Sequence, residues 1–221
     1  MVWDGTTITM LKDGIIETLF MVFGSSLIAY MIGIPLGIIL VVTDSDGIRP
    51  IPGLQKVLGL VINLLRSVPF IILLLVMIPV TRFLVGTTLG AKAVIPPLVG
   101  AAAPYIARMV ESSFKEVDAG VIEAAKSMGA TTWQIIWKVL LPEAKPSLLV
   151  GAAISITTIL GYSAMAGFVG GGGLGAIAIN YGYYRYQTDM MLVTVVILVV
   201  IVQIIQETWM KLSKISDKRI R

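Results

Sequence analysis

Three stretches of this chain bring together residues whose types and spacing could do chemistry. They are a charged interruption at residues 123–142, a hydroxyl-bearing stretch at 155–165, and a glycine run at 170–175. The glycines satisfy G-x-G-x-x-G at Gly170, Gly172 and Gly175. A dinucleotide site of that pattern needs a preceding strand in a βαβ unit. Here the run follows a long apolar window, so it reads as a connector or a close approach of backbones. No Lys follows a Gly anywhere in the chain, which removes the phosphate loop G-x-x-x-x-G-K-[ST] and nucleotide hydrolysis by that route. Without Cys or His, the chain has no thiolate or imidazole metal ligand and almost no common nucleophile–base pair. No catalytic residue and no metal site is assigned. A conduit, a receptor or an anchor remains.

The elements that hold these stretches are apolar. Charged residues make up 14% of the chain, against roughly 25% in a soluble globular protein, and the mean hydropathy is +0.92. A membrane-spanning helix takes about 20 residues. Windows of that order place helices at about 15–42, 61–85, 93–110, 147–170 and 189–210. The first window is too long for a removable signal peptide and lacks its small-residue cleavage site. The expected fold is an all-α integral membrane protein of about five transmembrane helices, a single domain over 1–221. Lys and Arg set its orientation. With the N-terminus outside, the outer segments carry Lys12, Arg82, Lys92 and Arg185. The inner ones carry Arg49, Lys56, Arg108, Lys115, Lys126, Lys138, Lys145, Lys211, Lys214, Lys218, Arg219 and Arg221. The expectation is N-out and C-in, and the net charge of +4 reads as topology and contact with membrane lipid, not nucleic-acid binding.

On the inner side, residues 118–142 form a polar elbow between apolar windows. Asp118 can cap a short helix whose apolar positions Val121, Ala125 and Met128 form one stripe, with Glu123 and Lys126 on another face. Gly129 stands where a left-handed residue ends such a helix. Thr131 and Gln134 make a capping-box pair that starts a second helix, in which Trp133, Ile136, Trp137 and Leu140 share an apolar face. Pro142 is expected to stop that helix and Pro146 to open the next span. Periodicity leaves two readings open: a hairpin lying in the lipid headgroups, or a helix inserted in a groove of a soluble partner.

The order Glu123-Ala124-Ala125, then Gly129, Val139 and Leu141-Pro142 resembles the "EAA" loop of permease subunits in type I ATP-binding-cassette importers, with Val139 where Ile is usual. The likeness extends through residues 63–90, 100–117 and 161–184 and is nearest to the methionine-import permeases. It implies that the elbow carries a coupling helix docking in a cytoplasmic ATPase through Glu123, Ala124, Ala125, Gly129, Trp133, Ile136, Trp137, Leu141 and Pro142. It also implies a bacterial inner-membrane permease working with a second copy of itself, two ATPase subunits holding ATP and Mg, and an extracytoplasmic binding protein, often a lipoprotein. This chain itself holds no cofactor. The implied function is import of methionine (D- or L-) or a relative by alternating access. Another amino acid, a small peptide or an organic anion is the alternative cargo, and a non-transporting anchor the alternative class.

A pathway between two copies would lie near the midplane. The fourth helix carries Ser155, Thr158, Tyr162, Ser163 and Met165 as pathway or gate candidates, although small and hydroxyl residues equally describe tight helix packing. Arg66, roughly nine residues or about 14 Å into a helix beginning at Val57, is either intramembrane and paired with Glu17 or Glu111, or an interfacial anchor with the crossing starting near Pro69.

Overall fold

The computed structural model describes residues 4–217, and Lys218, Arg219 and Arg221 of the expected inner charge set lie outside them. The described residues form helices and connections with no strand. The first helix, α1 (Gly5–Thr43), has 39 residues, or about 58 Å at 1.5 Å per residue, nearly twice the roughly 30 Å hydrocarbon core. Asp4 caps it, its carboxylate accepting the Thr7 N–H at 2.9 Å. Then follow α2 (Pro52–Ser67), α3 (Phe70–Val76), α4 (Ile78–Val85), α5 (Ala91–Lys115), α6 (Ala119–Ser127), α7 (Thr132–Ile135), α8 (Leu141–Met165), α9 (Gly173–Ile177) and α10 (Thr188–Ser216).

Among the described residues four helical stretches are long and apolar enough to span a membrane: Gly5–Thr43, Ala91–Lys115, Thr132–Val169 and Thr188–Ser216. A fifth is reached only by joining α2 to α3 across a 100° bend. The single helix expected at 61–85 is therefore corrected to three shorter ones. Pro69, with φ −57° and ψ 135°, has no N–H to continue α2 and biases Val68 away from helix. Leu54, Val57, Leu60, Val61, Leu64 and Leu65 of α2 stay exposed, the pattern of an interfacial helix.

Where the sequence suggested one domain, the chain gathers into two compact units. The first takes in residues up to Ala29, Val68–Ala102 and Ile156–Gln206. Leu11, Leu174, Ile177 and Met190 are buried together in it. Its glycine run is a close backbone approach: a Cβ on Gly175 would stand 2.3 Å from the Ala164 carbonyl oxygen. The carboxylate of Glu17 accepts the Gly173 N–H at 2.7 Å and the Thr18 hydroxyl oxygen accepts the Leu174 N–H at 2.9 Å. The start of α9 is thereby capped from α1.

The second unit takes in Tyr30–Ser67, Ala103–Ser155 and the residues from Glu207 onward. Leu40, Ile62 and Ala107 are buried at its core. Within it, Gly33 and Gly37 sit on one face of α1 at a spacing of four. A Cβ on Gly33 would lie 2.7 Å from Ile106, and one on Gly37 2.6 Å from the Ala107 carbonyl. This is the small-xxx-small packing that lets membrane helices touch along their backbones.

Candidate functional site

The elbow belongs wholly to the second unit, and its local structure follows from local chemistry. The Asp118 carboxylate accepts the Gly120 N–H at 2.7 Å and caps α6. At the other end Gly129 takes φ 77°. There the Gly129 N–H donates to the Lys126 carbonyl at 2.9 Å and the Ala130 N–H to the Ala125 carbonyl at 3.1 Å. Those two bonds are the Schellman pattern, which satisfies the orphan carbonyls of a helix end. Thr131 and Gln134 form the reciprocal capping box that opens α7.

Two expectations fail immediately after it. Pro142 does not stop the second helix, and Pro146 lies inside α8 rather than opening it. Residues Ile136–Leu140 form a π-helical turn, with the Leu141 N–H donating to the Ile136 carbonyl, and α8 continues from there. A proline ring inside an α-helix collides with the carbonyl four residues back. The wider turn displaces that carbonyl, so the helix passes Pro142 without a break.

The same turn splits the apolar face expected for Trp133, Ile136, Trp137 and Leu140. Ile135, Ile136 and Leu140 are buried, whereas Trp133 and Trp137 are 66% and 52% exposed and meet edge to face at 5.4 Å. On α6, Ala125 is buried and Val121 and Met128 are exposed, so that stripe is split too. Of the residues expected to dock, Ala125 and Ile136 point inward and Leu141 is half-buried. Glu123, Ala124, Gly129, Trp133, Trp137 and Pro142 face out. The elbow thus presents a tryptophan pair, Met128, 81% exposed, and the exposed carboxylate of Glu123.

The candidates on α8 divide likewise. In the second unit, Ser155 is buried and its hydroxyl lies 2.6 Å from the Tyr30 hydroxyl. In the first unit, Ser163 is buried and donates to the Leu160 carbonyl at 2.7 Å. Tyr162 stacks flat on Phe70 at 4.6 Å. Gly161 and Met165 are exposed, with nothing within 4 Å of a Cβ built on Gly161, and Thr158, three residues before Gly161, is half-buried. Ser155 and Ser163 are therefore in packing positions, and of the remaining candidates Met165 is exposed and Thr158 half-buried.

Of the two readings of Arg66, the pairing with Glu17 or Glu111 is not formed. The Arg66 guanidinium lies over the Tyr105 ring at 5.9 Å, Glu17 caps α9, and Glu111 is held by two other cations. Arg108 reaches Glu111 at 2.6 Å and Lys115 reaches it at 3.0 Å. Lys115 also contacts Asp44 at 2.6 Å, and this ammonium holds the Asp44 carboxyl below the usual carboxylate range. The signal for Arg108 and Lys115 was present in their spacing from Glu111, three back and four on, on one helix face. Among the described residues no group of three or more carboxylates gathers to hold a metal ion.

Residues 33–220 match the family model described as "Binding-protein-dependent transport system inner membrane component". The chain belongs to this family. The permease is 48% identical over 204 residues to the probable D-methionine transport system permease protein MetI of Vibrio cholerae, covering 92% of this chain and 91% of that one. It is 49% identical over 158 residues to the D-methionine transport system permease protein MetI of Escherichia coli, 72% of this chain and 73% of that one. Its fold superposes with TM-score 0.96 and 44% identity on a chain of the MetNI methionine ABC transporter, solved in an inward-facing conformation, over 97% of this chain and all of that one. The matched family region contains the whole elbow.

Proposed function

We propose that this permease imports methionine or a close relative, powered by a separate ATPase that binds and hydrolyses ATP with Mg. The observation that carries this reading is its 44% identity and TM-score of 0.96 over 97% of the chain to a methionine ABC transporter chain. The permease stands N-out and C-in, as its Lys and Arg distribution favours, and works as a pair of copies about a two-fold axis. The outward face of the elbow, with Trp133, Trp137, Met128 and Glu123, docks in the ATPase. Ala125 and Ile136 fix its shape from within, and Leu141 and Pro142 join it to α8. Closure of two ATPase subunits draws the two elbows together, and the pathway opens toward an extracytoplasmic binding protein, commonly a lipoprotein. Thr158 and Met165 line that pathway, with Tyr162 as a neighbouring gate. Ser155 and Ser163 hold the helix in place. Coupling is reciprocal, so substrate-loaded binding protein raises ATP turnover.

The test is reconstitution of the permease with its ATPase and binding protein in liposomes. Labelled methionine should accumulate only with ATP, and unlabelled methionine should abolish the signal. Competition by another amino acid, a peptide or an organic anion in its place reassigns the cargo and keeps the mechanism. No ATP-dependent uptake of any of these classes makes the chain an anchor.

A further inference from the structure

Four charged side chains at the inner end of the second unit form one continuous network. Arg108, Glu111 and Lys115 stand on α5, and Asp44 directly follows α1. Glu111, 5% exposed, is the shared acceptor: Arg108 at 2.6 Å on one side and Lys115 at 3.0 Å on the other. Lys115 passes the chain to Asp44 at 2.6 Å. Arg108 passes it the other way, donating to the Gly59 carbonyl of α2 at 2.9 Å. A Cβ on Gly59 would stand 3.1 Å from that guanidinium, so the glycine gives Arg108 its close approach. Three helices are tied by charge-assisted bonds, which are about twice as strong as neutral ones.

Stability alone does not account for this arrangement. Well-packed apolar residues of similar volume often hold helices together as well as a buried ion network or better. The surroundings suggest another use. A cavity of about 360 Å³ lies between the Asp44–Ile48 loop and the elbow, lined by Asp44, Gly47, Lys115, Ala119, Ile122 and Leu140 among others. A void has no atoms to pass a displacement on, whereas close-packed or bonded groups do. Across that cavity the Lys126 ammonium donates to the Gly47 carbonyl at 3.5 Å, a long and exposed bond, whereas the shorter charge-assisted contacts run through Lys115 and Glu111. We infer that Glu111, with Arg108, Lys115 and Asp44, is a positioning strut that carries displacement of the elbow to α2 and to the inner end of α1, where the cavity would otherwise absorb it. The inference rests on the reading of the elbow as the ATPase dock.

The experiment uses the assembled permease, ATPase and binding protein in liposomes, and reads methionine taken up per ATP hydrolysed beside the amount of ATPase that co-purifies. Co-purification reports on the elbow, and the uptake ratio reports on the strut. Glu111→Gln should lower the ratio about tenfold with co-purified ATPase unchanged, a coupling of the size interacting networks show. Asp44→Asn, at a partly exposed position that folding tolerates better, should lower it about threefold. Adding Asp44→Asn to Lys115→Met should cost nothing beyond Lys115→Met alone, because both cut the same link. Wild-type ratios within twofold in Glu111→Gln and Asp44→Asn, or independent losses in the double variant, overturn the strut. So does loss of the ATPase itself in Asp44→Asn, because the network would then merely fold the elbow. Co-purification that survives alanine at both Trp133 and Trp137 overturns the dock instead.

Discussion

The elbow and α8 each carry conspicuous residues, and the structure turns them in opposite directions. On the elbow, the two largest apolar side chains are turned outward: Trp133 and Trp137 are more than half exposed. On α8, the polar groups that might face a pathway turn inward, with Ser155 and Ser163 each 1% exposed and hydrogen bonded. Exposed tryptophan and buried serine in one chain invert what solubility in water would select. A surface of that kind is built for lipid or for a protein partner, and the elbow adds to it the exposed carboxylate of Glu123 and the left-handed turn at Gly129.

The largest effect expected from breaking this contrast is at the tryptophan pair. Replacing both Trp133 and Trp137 with Ala should cut co-purified ATPase by tenfold or more, since buried aromatic anchors are worth about 2 kcal/mol or more each at an interface. The permease's own melting temperature should barely move, because both rings are exposed in the isolated chain. A permease that melts much earlier yet retains its ATPase would reverse the assignment.

Next comes Gly129→Val. A Cβ there meets nothing within 4 Å, so the penalty is purely backbone, about 1–2 kcal/mol for a left-handed residue. ATP-dependent uptake should fall several-fold, and Gly129→Asn should recover most of it, since Asn tolerates this conformation. Equal loss with Asn and Val would mean that the side chain blocks the dock, not that φ matters.

A smaller effect is expected on α8. Tyr30→Phe and Ser155→Ala should each lower thermal stability, and a double-variant cycle should return a coupling of about 0.6 kcal/mol, near the membrane average. Uptake should stay within twofold. Uptake lost at unchanged stability would put Ser155 in the pathway.

The smallest concerns Asp4. Bonds from the Thr7 N–H and the Thr6 and Thr7 hydroxyls lower its carboxyl from 3.8 to about 2. The cap is therefore complete above pH 3.8 and is lost as pH falls through about 2. A ¹³C titration of the labelled carboxyl should show that midpoint. One near 3.8 would mean that the cap is not formed.

What could be read from the sequence divides along the same line. Asp118, Gly129 and the Thr131–Gln134 pair act on backbone within a few residues, and each stands in the structure as its spacing suggested. The membrane helices were legible as apolar windows, though α8 begins before Pro142 and α2 breaks from α3. The π-helical turn, the inward rotation of Ile136 and the exposure of Trp137 go with the way the helix leading into α8 passes Pro142, which a fixed 3.6-residue period does not represent. Glu111 pairs with Arg108 and Lys115 on its own helix face, while Arg66 lies over the Tyr105 ring. Packing between α1 and α5 through Gly33 and Gly37 was likewise visible only once both helices were placed.

The central claim is that the exposed face of the elbow meets a protein. Since the chain has no Cys, a single Trp133→Cys substitution gives an unambiguous cross-linking handle in the assembled transporter. The account predicts a cross-link to the ATPase subunit that strengthens or weakens with ATP. A residue 133 thiol that reacts freely with a lipid-phase reagent and never cross-links to the ATPase, with the complex intact, would contradict it.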